Sequence, residues 1–191
     1  KAVTTHPAVF GAVARNLLEN GFSLLSYGDS PGYPGSVEKT AKICGIKEIA
    51  DRMQIPLADF TQSRTVDFVR GKTSRKYEIC RGILDSDGII SICKMKTHQL
   101  ERITGGVKNM FGCVYGMNKG ATHVKYPDAE SFAQMLIDLN LLLKARLHIM
   151  DGVVAMEGNG PASGNPVKMN VILLSADPVA LDATFCRLID L

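Results

Sequence analysis

Three apolar runs, separated by segments with helical periodicity, constrain the fold of this chain more than any other feature. The runs are GIISICKM at 88–95, LHIM at 147–150 and VILLS at 171–175. Strands that helices cover on both faces read as continuous apolar runs. Strands that alternate with helices along a chain predict an α/β fold with a mostly parallel central sheet and helices on both faces. A fourth run, FSLLSY at 22–27, is expected to join the same sheet.

Helix start and stop signals divide the rest of the chain. A first helix is expected after Thr5-His6-Pro7, and one or two helices, broken near Gly45, should follow the Gly/Pro loop. A long amphipathic helix is predicted over 129–145, and a closing helix from Pro178. Between them, short β-like runs predict a small β-hairpin insertion near residues 57–80.

Length and composition indicate a single α/β domain over residues 1–191. The chain has 46% hydrophobic residues and 21% charged residues, which is typical of a globular domain. It lacks an initiator methionine and stops inside the apolar stretch ATFCRLIDL, so we expect a fragment of a longer protein. No segment approaches the roughly 18 to 20 apolar residues of a membrane helix. We therefore expect no membrane partner and a cytoplasmic location.

Charge and cysteine content limit the classes of ligand. The net charge is +3, with basic and acidic residues interspersed, so nucleic acid is not an expected partner, whereas a small anionic molecule is. The five cysteines are widely spaced and form no C-x-x-C pair. Reduced thiols in the core are therefore expected, and no cofactor is evident in these residues.

Polar side chains follow each apolar run. Asp29 follows the first run, Lys94, Lys96 and His98 end the second, Asp151 follows the third, and Asp177 follows the last. Ligands of open α/β sheets bind outside the carboxyl ends of the strands. We therefore expect these side chains to gather on one rim of the sheet.

The strand exit at 94–98 predicts an anion cradle. Ile90 and Ile92 share strand parity with Lys94, Lys96 and His98, so one face changes from buried to cationic. Thr104 is expected to cap a helix that begins at Gly105-Gly106, whose free amides favour anions. The expected ligand-binding residues are Lys94, Lys96, Lys108, Asn109, Gly105, Gly106, Gly158 and Gly160. The alternative is that the lysines extend into solvent from an ordinary strand end.

Acid and base roles are predicted for four residues, His98, Asp29, Asp151 and Glu157. His98 is a candidate proton donor because its reference pKa lies near neutrality. The three carboxylates are candidate acid/base or metal-binding partners, although no spacing selects a metal site and Asp29 also fits a turn-forming aspartate. The loop EGNGPASGNP, with Gly158 and Gly160, could wrap a phosphate but has no P-loop lysine.

Several blocks resemble one known family. THPAVFGAVARNLLENG with GDSPG, DGIISICKMKTH followed by GGVKNMFG, and IMDGVVAMEGNGP with SADPVALDA are similar to the domain of unknown function 362 family. The resemblance runs in order along nearly the whole chain. It departs from the family at Cys93, where related sequences tend to have proline. The resemblance implies a ferredoxin-type module with a 4Fe-4S cluster, located outside this chain in the full-length protein.

Together these features predict a domain that binds a small anionic substrate or cofactor at the carboxyl edge of its sheet. The family resemblance implies a parent protein linked to iron–sulfur redox chemistry. The alternative is a non-catalytic scaffold that docks a ferredoxin-like module or partner subunit through the same edge. A concave pocket favours the first function, whereas a flat apolar patch favours the second.

Overall fold

The computed structural model describes residues 2–31 and 35–191 and holds a mixed α/β fold. Within these residues it contains eight α-helices and six strands. The helices are α1 (Pro7–Glu19), α2 (Val37–Ile43), α3 (Ile46–Arg52), α4 (Arg81–Leu84), α5 (Gly106–Asn109), α6 (Lys119–Lys125), α7 (Ala129–Leu143) and α8 (Pro178–Leu188). The strands are β1 (Ser63–Asp67), β2 (Lys76–Cys80), β3 (Ile90–His98), β4 (Arg102–Thr104), β5 (Leu147–Glu157) and β6 (Asn165–Ser175).

The central sheet is mixed, so the prediction of a mostly parallel sheet is wrong. Its order is β4-β3-β5-β6. Only β3 and β5 run parallel, whereas β3 pairs antiparallel with β4, and β5 with β6. Parallel neighbours need a crossover of a dozen or more residues, which α5, α6 and α7 provide between β3 and β5. The short loop 158–164 between β5 and β6 permits only an antiparallel return.

The direction of β6 places its polar end away from the others. Ser175, at the end of β6, pairs with His148 near the start of β5. Asp177 therefore lies at the opposite rim from the carboxyl ends of β3 and β5. There it caps α8, accepting hydrogen bonds from the amides of Val179 and Ala180 at 2.8 and 3.2 Å.

The run FSLLSY does not join the central sheet. Residues 22–26 form no ladder, and Tyr27 makes one parallel bridge with Leu57. Leu24 is 98% exposed, whereas Leu25 and Tyr27 pack against a small core of Ala14, Ala50 and Ile55, away from the central sheet. The predicted hairpin is confirmed: β1 and β2 pair antiparallel, from Ser63 with Cys80 to Asp67 with Lys76.

The predicted helices form, and their caps follow from the sequence. Gly45, at φ +83°, separates α2 from α3. The side chain of His6 caps α1 by accepting the amide of Ala8. Asp128 caps α7 through the amide of Ser131.

The two faces of the central sheet differ in chemistry. On one face, Met95 and Met150 pack with Leu181 and Phe185 of α8. On the other, Lys94 and Asp151 lie under the segment that precedes α1. A second core joins α7 to the hairpin around Phe132, and Phe111 belongs to it.

Candidate anion-binding site

Lys94 and Asp151 form an ion pair inside the fold. Lys94 Nζ lies 2.7 Å from Asp151 Oδ2, and both side chains are buried. Asp151 also accepts the amides of His6 at 2.8 Å and Val153 at 3.1 Å. Burial alone would raise the pKa of Asp151, but these contacts lower it. The sequence predicted Lys94 as an anion ligand and Asp151 as an acid or base; the structure pairs the two side chains with each other.

A cationic group, here called the lysine cluster, is formed by Lys96, Lys108 and Lys119. The Phe111 ring lies beneath two of its members, with Lys108 Nζ at 5.9 Å and Lys119 Nζ at 5.3 Å from the ring centroid. His123 meets the edge of the same ring at a centroid distance of 6.1 Å. Cations favour the negative face of an aromatic ring, so Phe111 holds two lysines at one place.

Lys108 lies at the centre of the cluster. Burial lowers the pKa of Lys108 to about 8, and the ammonium groups of Lys96 and Lys119 lower it further. Glu101 and Asp29 oppose this effect without cancelling it. Among residues 2–31 and 35–191, no hydrogen-bond acceptor or carboxylate partner is found for the Lys108 ammonium. A largely desolvated cation without an acceptor is costly, and an anion would remove that cost.

Backbone carbonyls hold the other two lysines. Lys96 Nζ donates to the carbonyl of Val3 at 3.0 Å, and Lys119 Nζ donates to the carbonyl of Ser30. Burial lowers the pKa of both lysines, and the nearby carboxylate of Asp29 partly offsets the effect. Each lysine keeps two further N–H donors, because an ammonium group has three.

Asp29 lies beside the lysine cluster. The amide of Ser30 donates to the carbonyl of Gly112 at 2.9 Å, which fixes the Asp29 loop next to Phe111. A Cβ at Gly112 would collide with the Asp29 carboxylate, so glycine is required for this approach. Asp29 acts on the pKa of Lys96 and Lys108, and the same two lysines lower the pKa of His98. They therefore lie in one neighbourhood.

His98 is neutral at pH 7, which changes its predicted role. Its Nδ1 accepts the amides of Leu100 and Glu101, both at 3.2 Å. Burial lowers the pKa of His98 to about 4, and the charges of Lys108, His123 and Lys96 act in the same direction. An acceptor at Nδ1 places the ring proton on Nε2. His98 thus offers one neutral N–H donor, where the sequence predicted a titrating proton donor.

Three of the predicted ligand residues have partners within the fold. The Asp182 carboxylate accepts the amides of Gly106 at 2.6 Å and Val107 at 3.0 Å, so the first turn of α5 already holds an anionic group. Gly105, the residue that caps α5, permits this approach, since a Cβ there would collide with Asp182. Thr104 makes no capping bond, contrary to expectation. Asn109 Nδ2 donates to Ser91 Oγ at 2.9 Å.

The loop after β5 lies at the same rim as the end of β3. Gln99 Nε2 donates to Asn159 Oδ1 at 2.7 Å, and Gly160 packs so closely on Thr97 that a Cβ would collide with its carbonyl. Gly158 has φ +74°, which favours glycine. The φ of Gly158 and the close packing of Gly160 explain why both positions hold glycine. The Glu157 side chain faces solvent.

Sequence reasoning missed Lys119, Phe111 and Asp182, and it did not place His123 in an anion site. Lys119 and His123 stand four residues apart in NKGATH, and residues at this spacing share one face of a helix. That spacing was a usable signal. Asp182 had no local signal, because it contacts α5 across 76 residues of sequence.

Across residues 2–31 and 35–191, no group of three or more His, Cys, Asp or Glu side chains is placed to hold a metal ion. The five cysteines are free thiols, and burial raises the pKa of Cys93 and Cys113 strongly. In the same part of the chain, no helix has the length and apolarity to cross a membrane.

Comparison with known proteins places the chain among relatives. A thylakoid-associated protein of Synechocystis sp. is 32% identical over 188 residues, which span 98% of this chain and 57% of that protein. The lactate racemase apoprotein from Thermoanaerobacterium thermosaccharolyticum has a similar structure, with a TM-score of 0.68 and 11% identity, over 98% of this chain and 46% of that one. The chain thus spans about half the length of these two proteins, and the second likeness concerns the fold alone. The family model described as Domain of unknown function (DUF362) matches residues 1–187. The resemblance seen in the sequence is confirmed, and the chain belongs to this family.

Proposed function

We propose that the domain binds a small anion, a carboxylate or a phosphate group, at the lysine cluster. The observation that carries this proposal is the grouping of three lysines at one place: Lys108 lies near Lys96 and Lys119, beside the Phe111 ring, and no acceptor for its ammonium group is found among the described residues. The remaining N–H donors of Lys96 and Lys119 and the Nε2–H of His98 are further candidate contacts. An anion there would receive charge-assisted hydrogen bonds of about 1.5–3 kcal/mol each.

The same residues could also move a proton on the bound molecule. Lys108, with a pKa of about 8, exchanges its proton near neutral pH more readily than an ordinary lysine. Asp29 is the carboxylate that acts on all three lysines. We propose these two as the acid/base pair if the full-length protein is an enzyme, with His98 as a neutral donor.

Calorimetry with sulfate, phosphate and succinate tests the binding proposal. We compare the parent with Lys108→Met and, as the matched control, Lys168→Met, which removes an exposed lysine from β6. Loss of one charge-assisted contact predicts at least about tenfold weaker binding for Lys108→Met. Lys168→Met should bind like the parent.

Two results would contradict the proposal. One is a parent protein that binds none of the three anions at about 1 mM, where even a weak specific site should respond. The other is equal weakening in both variants, which would indicate a general effect of net charge rather than a site.

A scaffold function is the second candidate, and an exposed apolar strip favours it. Ile172 and Leu174 of β6 are 47% and 60% exposed, and β6 has β5 as its one neighbour in the sheet. We propose that a ferredoxin-like module or partner subunit would use this edge, rather than the rim that the sequence suggested. Replacing both residues with threonine should abolish co-purification of such a partner without affecting sulfate binding; unchanged co-purification would exclude this surface.

An iron–sulfur association of the full-length protein is a separate proposal that rests on the family resemblance. Its test is the iron and sulfide content of the full-length protein, purified without oxygen. About four iron atoms per chain would support a 4Fe-4S module. A colourless full-length protein free of iron would refute the association.

A further inference from the structure

We propose that Asp182 is a positioning residue for the lysine cluster and makes its anion affinity depend on pH. The proposal rests on the anion-binding function above. Asp182 lies on α8, and its two carboxylate oxygens accept the amides of Gly106 and Val107, the two residues that precede Lys108. The carboxylate thereby fixes the backbone from which the Lys108 side chain extends.

The geometry of the contact is specific to a carboxylate. Both oxygens are used, at 2.6 Å and 3.0 Å, and each accepts from a separate N–H group. Two consecutive glycines, Gly105 and Gly106, let α8 approach the start of α5 closely. A Cβ on Gly105 would collide with Asp182, and a Cβ on Gly106 would press on Leu181. A protonated acid or a carboxamide has only one free acceptor oxygen facing two donors, so either would release part of this turn.

The surroundings of Asp182 make its ionised form unfavourable. Burial raises the pKa of Asp182 to about 6, and the two amides only partly oppose it. The titratable groups nearby are the Cys93 thiol of β3, the Cys186 thiol of α8 and, next to Gly106, the His148 imidazole of β5. No cation among the described residues pairs with Asp182. Because the folded-state pKa exceeds the ordinary value of 3.8, this group lowers the stability of the fold as pH rises from about 4 to about 6, and the loss is complete above that range.

The direction of the pH effect distinguishes this role from the charge of the cluster itself. Acidification completes the protonation of Lys108 and moves His98, His123 and Glu101 towards their protonated forms, so it makes the surroundings of the cluster more positive and can only strengthen anion binding. Protonation of Asp182 should instead loosen the turn before Lys108 and weaken binding. A loss of affinity on acidification through about pH 6 therefore identifies Asp182.

Sulfate titrations from about pH 7 to about pH 5 test the inference, because sulfate keeps its charge and Lys108 stays largely protonated over this range. We expect the parent to lose affinity about tenfold across it, and Asp182→Asn to bind at pH 7 as weakly as the parent does at pH 5. The variant should show no such loss on acidification. The matched control is Asp177→Asn, the same change at the carboxylate that caps α8 itself and makes no contact with α5. It should lower the melting temperature and leave the sulfate profile unchanged.

The outcomes separate this inference from the function on which it rests. No sulfate binding by the parent at any pH would refute the binding function and the inference together. A parent that binds sulfate with constant or rising affinity on acidification would refute only the role of Asp182. This profile decides the question even if Asp182→Asn does not fold, and a folded Asp182→Asn that keeps the parent's profile would refute it as well.

Discussion

Lys108→Met should make the domain more stable, although it removes a side chain from the candidate site. The pKa of Lys108 is about 8 instead of the ordinary 10.5, which corresponds to about 3 kcal/mol of cost for keeping the ammonium charged in the folded state. Loss of the contact between this cation and the Phe111 ring costs about 1 kcal/mol of stability and reduces this gain. The net gain in unfolding free energy is therefore about 2 kcal/mol at neutral pH.

The sign and the pH range follow from proton linkage. Between about pH 8 and 10.5 the unfolded chain holds a proton on Lys108 that the folded protein has released, so the parent gains stability as pH rises. Methionine does not titrate, and the advantage of the variant should shrink over the same range. Near pH 7 the lysine is charged in both states, and the advantage should be complete.

Thermal melts of the parent and Lys108→Met at about pH 7 and about pH 10 measure both effects. For a domain of this size, about 2 kcal/mol corresponds to a rise of roughly 4–8 °C in melting temperature at the lower pH. Lys168→Met, at an exposed position, should melt like the parent at both pH values. A variant that melts below the parent at pH 7, or a difference that does not change with pH, would refute the assigned burial of the Lys108 charge.

Further predictions concern the contacts around the site. Lys94→Met should destabilise the domain by about 3–5 kcal/mol in urea unfolding, because Asp151 would remain buried without its cation. The double variant Lys94→Met with Asp151→Leu should recover part of this loss. A single variant as stable as the parent would refute the pairing. Asp138→Asn should cost about 2–3 kcal/mol in the same assay, because the buried carboxylate accepts the amides of Lys72, Thr73 and Ser74. Gly105→Ala should weaken sulfate binding as Asp182→Asn does, since its Cβ would displace that carboxylate; parent-like affinity would show that the approach is not needed.

Local sequence patterns determined the elements that depend on neighbouring residues. The break at Gly45, the long helix that begins at Ala129 and the start of α8 at Pro178 were predicted because capping, φ preference and helical periodicity act within a few residues. The clustering of Lys96, His98 and Lys108 near a strand exit was also visible. Lys96 and His98 share one face of β3 because they are two residues apart, and β4 folds back on β3 before the chain reaches Lys108.

Long-range pairing decided the rest, because an apolar run does not specify its neighbour or its direction. VILLS was recognised as a strand, but the short loop before β6 turned it antiparallel and moved Asp177 to the far rim. FSLLSY had strand propensity, yet it makes one bridge and stays outside the central sheet. Propensity alone cannot replace the hydrogen bonds and packing that a partner strand supplies.

The partners of the charged side chains were likewise decided by the tertiary structure and not by the local sequence. From the sequence, Lys94 and Lys96 are equivalent lysines on one face of a strand. Only the tertiary structure gives Lys94 a carboxylate partner 57 residues away, leaves Lys108 without one among the described residues, and gives the amides of α5 to Asp182, 76 residues away. The sequence thus determined which residue types are available at the strand exit. The fold determined which of them remain unpaired, because the burial and partners that set the pKa and binding capacity of a charge come from contacts distant in sequence.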